Sequence, residues 1–278
     1  MEMIVLGAAP AYTDRPGSAA SSYLVRAGGA ALLLDLGQGA FPNLASAVEP
    51  STLTVVLVSH LHPDHFVDLV PLRHYLRWEL APARRVRVLG PAGLADRLDA
   101  LDGSVGFAAA ALDVEALSGG VHRFGPFVVE VRPVAHTEES YAFRVTAGWG
   151  AAGHPAVEGV TALHGAGRVS VGRGGAGQGA AAGLVYSGDC GRARDLEPLV
   201  RPGDTLLSEA SFGAGPVVPG AQHLTSADAA RVASAGGAAR LLLTHVLSGH
   251  SRAETLTAAQ AEFAGPIQLV TEGDRFEV

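Results

Sequence analysis

The sequence contains no lysine. All 20 of its basic residues are arginine, and 27 acidic residues outnumber them to give a formal net charge of −7. Affinity for the phosphate backbone of nucleic acids comes mainly from basic side chains, so an acidic chain without lysine is a poor non-specific nucleic-acid binder. A local patch of arginines is the one basic surface that this composition still allows.

Cysteine and long apolar runs are also scarce. Cys190 is the only cysteine, which excludes intramolecular disulfides and favours the cytoplasm as the compartment. Residues 1–7 have no basic region, and their apolar run is too short for a signal peptide. No apolar stretch approaches the roughly 20 residues that a membrane-spanning helix needs. We therefore expect a protein that is neither exported nor membrane-embedded.

Short apolar runs recur along the chain, each ended by Gly, Pro, Asn or Asp, and most have the length and composition of strands. Strands are predicted at residues 3–6, 23–26, 31–35, 53–59, 86–89, 127–134, 141–145, 184–187, 205–208, 240–244 and 267–270. Helical spacing predicts helices at residues 66–80, 93–101, 226–235 and 253–263. A block of strands is followed by a helix, and this scheme roughly repeats, which predicts an α/β sandwich of two β-rich layers with helices outside.

Residues 147–183 differ from the rest of the chain. They are rich in glycine and alanine and have little apolar periodicity, which predicts a flexible surface insertion. The glycine-rich run at 172–177 lacks the Gly-Lys-Ser/Thr ending of a P-loop, so a phosphate-binding loop of that kind is excluded. We predict a single domain over residues 1–278 that carries this insertion.

The densest group of chemically active side chains is the heptapeptide Ser-His-Leu-His-Pro-Asp-His at residues 59–65. It directly follows the predicted strand at 53–59. Alternate residues of an extended chain point to the same side, so His60 and His62 can converge on one cation. Three histidines and an aspartate within six residues argue against the simpler interpretation of a polar helix cap with surface histidines.

Pro63 turns the chain after this point and places Asp64 and His65 at the start of the next helix. A carboxylate and a second imidazole are thereby directed to an adjacent position. Imidazole and carboxylate ligands suit zinc, manganese or iron, and zinc is the commonest choice for histidine-rich sites. The segment therefore predicts metal binding, but four ligands do not complete two metal sites.

Three distant polar residues each follow a predicted strand and are candidates for the missing ligands. They are His136, Asp189 and His245. Each of them ends an apolar run, where side chains gather at the rim of a sheet. Any one alone would more often be a turn residue or a hydrogen-bonded histidine, but the shared context of all three favours a joint site with the first motif.

This series of residues resembles the metallo-β-lactamase superfamily. The early Asp-Leu-Gly within residues 32–39 is similar to an Asp-x-Gly turn of that family, so the resemblance covers nearly the whole chain. The resemblance implies an αββα four-layer sandwich with two divalent metal ions, expected to be zinc, with manganese as the alternative. It also implies that the first metal is bound by His60, His62 and His136, and the second by Asp64, His65 and His245, with Asp189 bridging them.

Shorter motifs resemble the phosphodiesterase branch, which includes ribonuclease Z, PhnP-type phosphodiesterases and an actinobacterial type of cyclic-nucleotide phosphodiesterase. The motifs are His136-Thr-Glu-Glu-Ser-Tyr, Ser187-Gly-Asp, Glu209-Ala-Ser-Phe and His223-Leu-Thr-Ser. Residues 16–24 and 261–266 are similar to the actinobacterial type. The resemblance implies hydrolysis of a small phosphodiester such as 3′,5′-cyclic AMP by a metal-bound hydroxide, in a homodimer.

Three catalytic roles are expected with this chemistry. Asp64 would steer the hydroxide as well as bind metal, and His223 would donate a proton or hydrogen bond to the leaving oxygen or the phosphate. Glu209 would orient His223, the usual role of a carboxylate beside a histidine. Asp35 is expected to hold a turn near the site, and Cys190 to be a small buried neighbour of it.

Other functions remain open. A ribonuclease Z-like tRNA-processing nuclease needs an RNA-gripping arm between His136 and Asp189. The insertion in that interval holds only Arg168 and Arg173, which makes a poor RNA clamp. Hydrolysis of a lactone, thioester or sulfate is compatible with the same ligands. A non-catalytic metal-binding protein would have lost a ligand, and none is missing from the motif set.

Overall fold

The computed structural model describes residues 1–148 and 181–278. Residues 149–180 hold most of the predicted insertion at 147–183, which therefore lies outside the described residues and stays a prediction. No helix in the two described ranges is both long and apolar enough to cross a membrane.

Two seven-stranded sheets form the centre of the molecule, and each is antiparallel at one end and parallel at the other. The first has the order β14-β1-β2-β3-β4-β5-β6, and the second has the order β13-β12-β11-β10-β9-β8-β7. The strands of the first sheet are β1 (Glu2–Gly7), β2 (Ser22–Ala27), β3 (Ala30–Leu34), β4 (Val55–Leu57), β5 (Val86–Gly90), β6 (Leu112–Ala116) and β14 (Arg275–Glu277). Those of the second are β7 (Gly120–Phe124), β8 (Phe127–Pro133), β9 (Tyr141–Ala147), β10 (Leu184–Tyr186), β11 (Thr205–Glu209), β12 (Arg240–Thr244) and β13 (Ile267–Leu269).

Within the described ranges, six α-helices cover the outer faces of the sheets. They are α1 (Phe41–Ala47), α2 (Pro63–Phe66), α3 (Leu69–Trp78), α4 (Leu94–Asp102), α5 (Ser226–Gly236) and α6 (Arg252–Gln260). The buried leucines of α1, α3 and α4 pack on one face of the first sheet, while the buried alanines of α5 and Ala259 of α6 pack on the second. The remaining core lies between the sheets. This layering confirms the predicted αββα sandwich.

The run Leu32-Leu33-Leu34 shows how the sequence encodes this layering. Leu32 and Leu34 point into the core between the sheets, whereas Leu33 points to the helices on the outer face. A strand that is buried on both faces needs an uninterrupted apolar run, because successive side chains point to opposite faces. Because the central strands are buried on both faces, their apolar runs are enough to predict them from the sequence.

The elements that sequence patterns missed lie mainly at the sheet edges. β6, β7 and β14 are each at or near an edge and carry several exposed residues, so their sequences are too polar for the apolar pattern to detect. The short helix α1 was also missed. The helix predicted at 66–80 is instead divided into α2 and α3, and only Val55–Leu57 of the strand predicted at 53–59 pairs in the sheet.

Candidate metal centre

The candidate ligands lie where strands of both sheets end. The motif at 59–65 follows β4, Asp189 follows β10 and His245 follows β12. His136 lies in the connection from β8 to the antiparallel β9, which starts beside the carboxyl end of β10. Ligand sites in α/β sheets commonly lie at the carboxyl ends of parallel strands, where the chain leaves the sheet and side chains can converge.

The first cluster contains His60, His62, His136 and Asp189, whose ligand atoms all lie within 4.8 Å of one another. Nδ1 of His62 is 3.0 Å from Nε2 of His60 and 3.1 Å from Nε2 of His136. Oδ2 of Asp189 is 3.7 Å from Nε2 of His60 and 3.6 Å from Nε2 of His136. Three imidazole nitrogens and one carboxylate oxygen therefore face a common point.

The second cluster contains Asp64, His65 and His245. Oδ2 of Asp64 is 3.0 Å from Nε2 of His245 and 3.6 Å from Nε2 of His65. Oδ1 of Asp189 lies 3.4 Å from the same nitrogen of His65. The two oxygens of Asp189 thus face different clusters, which is the arrangement that a bridging carboxylate requires.

Two buried polar atoms test whether a divalent metal fits here. Nε2 of His65 and Oδ1 of Asp189 have no hydrogen-bond partner within the part of the chain that the structure describes. An unpaired buried polar atom is costly, and such atoms are rare in folded proteins. A cation between these atoms would satisfy both, and the nitrogen and carboxylate donors suit zinc or another divalent metal. The residues therefore fit a divalent metal site.

The charge states of His60 and Asp189 agree with metal binding. Burial and the neighbouring His65 hold the pKa of His60 well below its ordinary value, so this imidazole is neutral and can offer its lone pair. Burial opposes ionisation of Asp189, but His245 and His65 outweigh it and keep its pKa well below the usual range. Neutral imidazole and ionised carboxylate are the forms that bind metals.

Asp35 contacts the second cluster through His65. Its Oδ2 accepts a hydrogen bond of 2.7 Å from the hydroxyl of Tyr186 and lies 2.7 Å from Nδ1 of His65. Its Oδ1 accepts from the backbone N of Ser59 at 2.7 Å. Asp35 thus fixes the ring of His65 with Nε2 toward the ligands, a role beyond the turn that sequence patterns assigned to it. Its position after β3, like those of the ligands after their strands, was the available signal.

The turn that contains Asp35 lies unusually close to the motif. A Cβ atom on Gly37 would lie 1.9 Å from the backbone oxygen of Asp64, a distance that no side chain can tolerate. The glycine of the Asp-Leu-Gly sequence is therefore needed for this close backbone approach.

Glu209 lies fully buried next to the clusters and accepts several hydrogen bonds. Its Oε1 is 3.1 Å from Nδ1 of His223 and accepts from the backbone N of Cys190 at 3.0 Å. Its Oε2 accepts from the hydroxyl of Ser211 at 2.6 Å. The predicted pair of Glu209 and His223 is thus brought into contact, and Ser211 is a further participant that sequence patterns missed.

Neither Cys190 nor His74 belongs to either cluster. Cys190 is buried, and its thiol donates to the backbone oxygen of Arg192 at 3.3 Å and not to a cluster residue. His74 lies exposed on α3, next to the ring of Phe107.

A cleft of about 380 Å³ opens directly onto both clusters. Its floor contains His62, Asp64, Asp189 and His245, and His223 and Ser211 lie on one side. The rest of its lining is mostly apolar and comes from Pro10, Ala11, Tyr12, Pro63 and Leu247. A small molecule can therefore reach the ligand atoms from this side.

Comparison with known proteins identifies the family. Residues 32–246 match the family described as the beta-lactamase superfamily domain. The chain belongs to this superfamily. The resemblance inferred from the motifs is thereby confirmed. Family membership and the paired clusters of histidine and aspartate together support a metallo-hydrolase with a divalent metal site.

Relatives of this superfamily member match along nearly its whole length. An uncharacterized protein of Mycobacterium leprae (strain TN) is 32% identical over 270 residues, which cover 95% of this chain and 84% of that protein. Ribonuclease Z of Salinispora arenicola (strain CNS-205) is 29% identical over 295 residues, covering 98% of this chain and 94% of the relative. The crystal structure of the metallo-beta-lactamase fold protein YhfI from Bacillus subtilis has a TM-score of 0.79 at 23% identity, covering 99% of both chains, and shows the shared fold.

Proposed function

We propose that this chain is a metal-dependent phosphodiesterase that hydrolyses a small phosphodiester such as 3′,5′-cyclic AMP. The observation that carries the proposal is the position of Asp189, whose two oxygens face separate clusters, so that two divalent ions, with zinc as the first choice, would lie side by side. When bound, such ions supply Lewis acidity and a water of lowered pKa. The small-molecule substrate and a homodimeric assembly stay predictions.

The chain's own residues have distinct tasks in this proposal. Asp64 lies at the floor of the cleft with one oxygen facing His65 and His245, and it would hold the second ion and orient the attacking water. His223 lines the same cleft, with 23% of its side chain exposed. Because Nδ1 of His223 faces Glu209, Nε2 is the nitrogen left to act on the substrate. This nitrogen would donate a proton to the leaving oxygen.

The charge of His223 suits proton donation. Burial alone would lower the pKa of this imidazole, but the hydrogen bond that it donates to Glu209 and the charge of that carboxylate outweigh burial and raise the pKa above its ordinary value. A raised pKa favours the protonated form of the ring. The buried carboxylate of Glu209 therefore orients the ring of His223 and also favours its protonated form. Both effects support the general-acid role proposed for His223.

RNA is the second candidate substrate, favoured by the similarity to a ribonuclease Z. A groove of about 640 Å³ leads away from His62, and an RNA chain leaving the site on this side would lie in it. Its charged side chains are Arg97, Glu138 and Glu139, besides His62 itself. Two carboxylates against one guanidinium disfavour a polyanion, because phosphate binding depends on neutralising basic groups. A small phosphodiester needs no such groove.

The test is conversion of 3′,5′-cyclic AMP to AMP by protein loaded with Zn²⁺ or Mn²⁺. Asp189→Ala is expected to lose more than about a hundredfold in kcat/KM, since both clusters lose a ligand. Its metal content should fall as well. Asp102→Ala, which removes an exposed aspartate at the end of α4, is the matched control and should retain both turnover and metal.

Absence of cyclic AMP turnover by metal-replete protein would remove the cyclic-nucleotide proposal. Precursor tRNA, bis(p-nitrophenyl) phosphate, a lactone and a thioester would then be compared under the same conditions. Turnover of tRNA alone would favour the nuclease. Turnover of the lactone or thioester alone would move the chain to another ester class.

A further inference from the structure

One side of the cleft is formed by Pro10, Ala11, Tyr12 and Leu247, here called the apolar wall. The wall faces the same space as Asp64, Asp189 and His245. A substrate bound at the clusters must therefore place part of itself against this wall. The chemistry of the wall decides which substituent next to the scissile phosphate is accepted.

The backbone holds the apolar wall in place beside the clusters. The carbonyl oxygen of Ala8 accepts a hydrogen bond of 3.1 Å from the backbone N of His245, so the loop that carries Tyr12 starts next to a candidate ligand. The amide of Gln38 donates to the carbonyl oxygen of Ala11 at 3.0 Å. Leu247 is held by its own backbone N, which donates to the carbonyl oxygen of Ser211 at 3.2 Å.

Tyr12 is 64% exposed, although it belongs to an apolar wall. The other large apolar side chains that are exposed in the described ranges, such as Trp78 and Val121, do not line this cleft. A single exposed apolar side chain needs no explanation by itself. Its place at the mouth of a cleft that contains the candidate ligands is what points to a ligand.

The charged side chains that line the cleft indicate which kind of ligand it can bind. Within the described part of the chain, no arginine lines the cleft, and its two carboxylates, Asp64 and Asp189, both belong to the clusters. A second phosphate or another charged substituent next to the scissile group would find no counter-charge at the apolar wall. An uncharged, flat substituent would bury apolar surface there and stack on the ring of Tyr12.

We propose that the apolar wall binds the nucleobase of the substrate, with Tyr12 as the stacking residue and Leu247 as its apolar neighbour. The inference rests on the proposed function, since the phosphate must lie at the clusters for the base to reach the wall. It makes the substrate a nucleoside phosphodiester and not a polyphosphate, a sugar phosphate or a phospholipid headgroup. Stacking of a base on an aromatic side chain strengthens binding on the order of tenfold.

The experiment compares two ligands that differ only in the base. AMP and ribose 5-phosphate are titrated calorimetrically into zinc-loaded full-length protein, as wild type, Tyr12→Phe and Tyr12→Ala. The wild type should prefer AMP by on the order of tenfold. Tyr12→Phe should keep this preference because the ring remains, whereas Tyr12→Ala should lose most of it. Ribose 5-phosphate should bind all three proteins alike.

Trp78→Ala is the matched control, because it removes an exposed aromatic side chain outside the cleft. It should leave both affinities unchanged. Equal binding of AMP and ribose 5-phosphate to the wild type, or an unchanged preference in Tyr12→Ala, would overturn the assignment of the wall. Failure of AMP to bind would overturn it too.

Binding and turnover separate this inference from the proposed function. Hydrolysis of cyclic AMP with no Tyr12-dependent preference for AMP would retain the phosphodiesterase and reject the base site. A Tyr12-dependent preference without hydrolysis of any phosphodiester would retain the base site and reject the phosphodiesterase. If both hold, Tyr12→Ala should raise the KM for cyclic AMP on the order of tenfold and leave kcat nearly unchanged.

Discussion

A single hydroxyl group, that of Ser211, connects the buried carboxylate to a candidate ligand. Its Oγ donates to Oε2 of Glu209 at 2.6 Å and lies 3.0 Å from Nδ1 of His245. Because the hydroxyl has one hydrogen and gives it to Glu209, it must accept from Nδ1–H of His245. In the neutral form of the ring, this arrangement leaves the lone pair on Nε2, the nitrogen that faces Asp64. Ser211 thereby selects the tautomer that can bind metal.

We predict that Ser211→Ala weakens zinc binding at the second cluster by about 10- to 100-fold, since the tautomer of His245 is no longer fixed. Competition with a chromophoric chelator measures the affinity and the number of ions bound. Ser211→Thr keeps the hydroxyl and should restore much of the affinity. Ser46→Ala removes an exposed hydroxyl on α1 and should change nothing. Equal zinc affinity in Ser211→Ala and wild type would contradict the tautomer argument.

Asp35 provides a second test of how a single residue orients a candidate ligand, because its backbone conformation allows an isosteric change. Its φ is 57°, in the left-handed region that asparagine also tolerates. Asp35→Asn therefore removes the charge without new backbone strain. We expect about 10- to 100-fold weaker zinc binding, because His65 loses its anionic partner. Unfolding should require about 1.5–3 kcal/mol less free energy for the loss of a charged hydrogen bond.

Chemical denaturation and zinc competition measure both effects. Asp102→Asn, at an exposed position, is the control. Unchanged zinc affinity in Asp35→Asn would show that the carboxylate does not position His65.

At the scale of elements, the start of α5 fixes the backbone around His223. The helix begins with a capping box in which Thr225 Oγ1 accepts from the backbone N of Asp228 at 3.1 Å. In return, Oδ2 of Asp228 accepts from the backbone N of Thr225 at 3.1 Å. His223 lies two residues before the cap, so its position follows from where this helix starts.

We predict that Thr225→Ala lowers the free energy of unfolding by about 1 kcal/mol, the usual cost of losing an N-cap. The contribution of Asp228 to the free energy of unfolding depends on pH. Burial opposes its ionisation, but the hydrogen bonds from Thr225 and the charge of Arg231 lower its pKa below 3.8. A carboxyl whose pKa is lower in the folded state stabilises fully above the unfolded value, and the contribution is lost as the pH falls through the folded value.

The stability difference between wild type and Asp228→Asn should therefore shrink as the pH is lowered from neutral to below 3.8. Urea unfolding at several pH values measures it. Asp113→Asn, which loses only an exposed ion pair with Arg85, should show little difference at any pH. A stability difference between wild type and Asp228→Asn that grows toward acid pH would contradict the claim that the ionised carboxylate stabilises the folded state.

At the scale of the whole molecule, the two clusters join the two sheets. The motif at 59–65 leaves the first sheet, whereas His136, Asp189 and His245 leave the second. A bound ion therefore contacts residues that unfolding would separate. Ligands that bind only the folded state stabilise it by mass action, by about 4 kcal/mol at a thousandfold excess over Kd.

We predict that chelation of the metals lowers the Tm by roughly 10 °C, given this free energy and a chain of this size. Differential scanning calorimetry with zinc and with a chelator measures the change. His245→Ala should show a smaller difference, since it removes a ligand of the second cluster. His122→Ala removes a half-buried histidine of β7 that belongs to neither cluster, and its difference in Tm should equal that of wild type. An identical Tm with and without zinc would show that the clusters bind no stabilising ion.

Apolar patterns and motifs in the sequence predict the central strands and the candidate ligands. The central strands are buried on both faces, so their apolar runs are long enough to be recognised, and four ligands lie within six consecutive residues. His136, Asp189 and His245 could be proposed because each follows such a run. Three edge strands, β6, β7 and β14, were missed because their exposed faces remove the apolar signal.

The division of the candidate ligands around Asp189, and the residues that orient them, are visible only in the folded chain. The roles proposed for Ser211, Asp35 and Tyr12 depend on neighbours far away in the chain: Ser211 contacts His245, and Asp35 contacts Tyr186. Periodicity reports the burial of a residue within its own element, but it carries no information on which elements meet. Which elements come into contact depends on the packing of the two sheets and on the hydrogen bonds of buried polar groups. These contacts can therefore be known only from the folded chain.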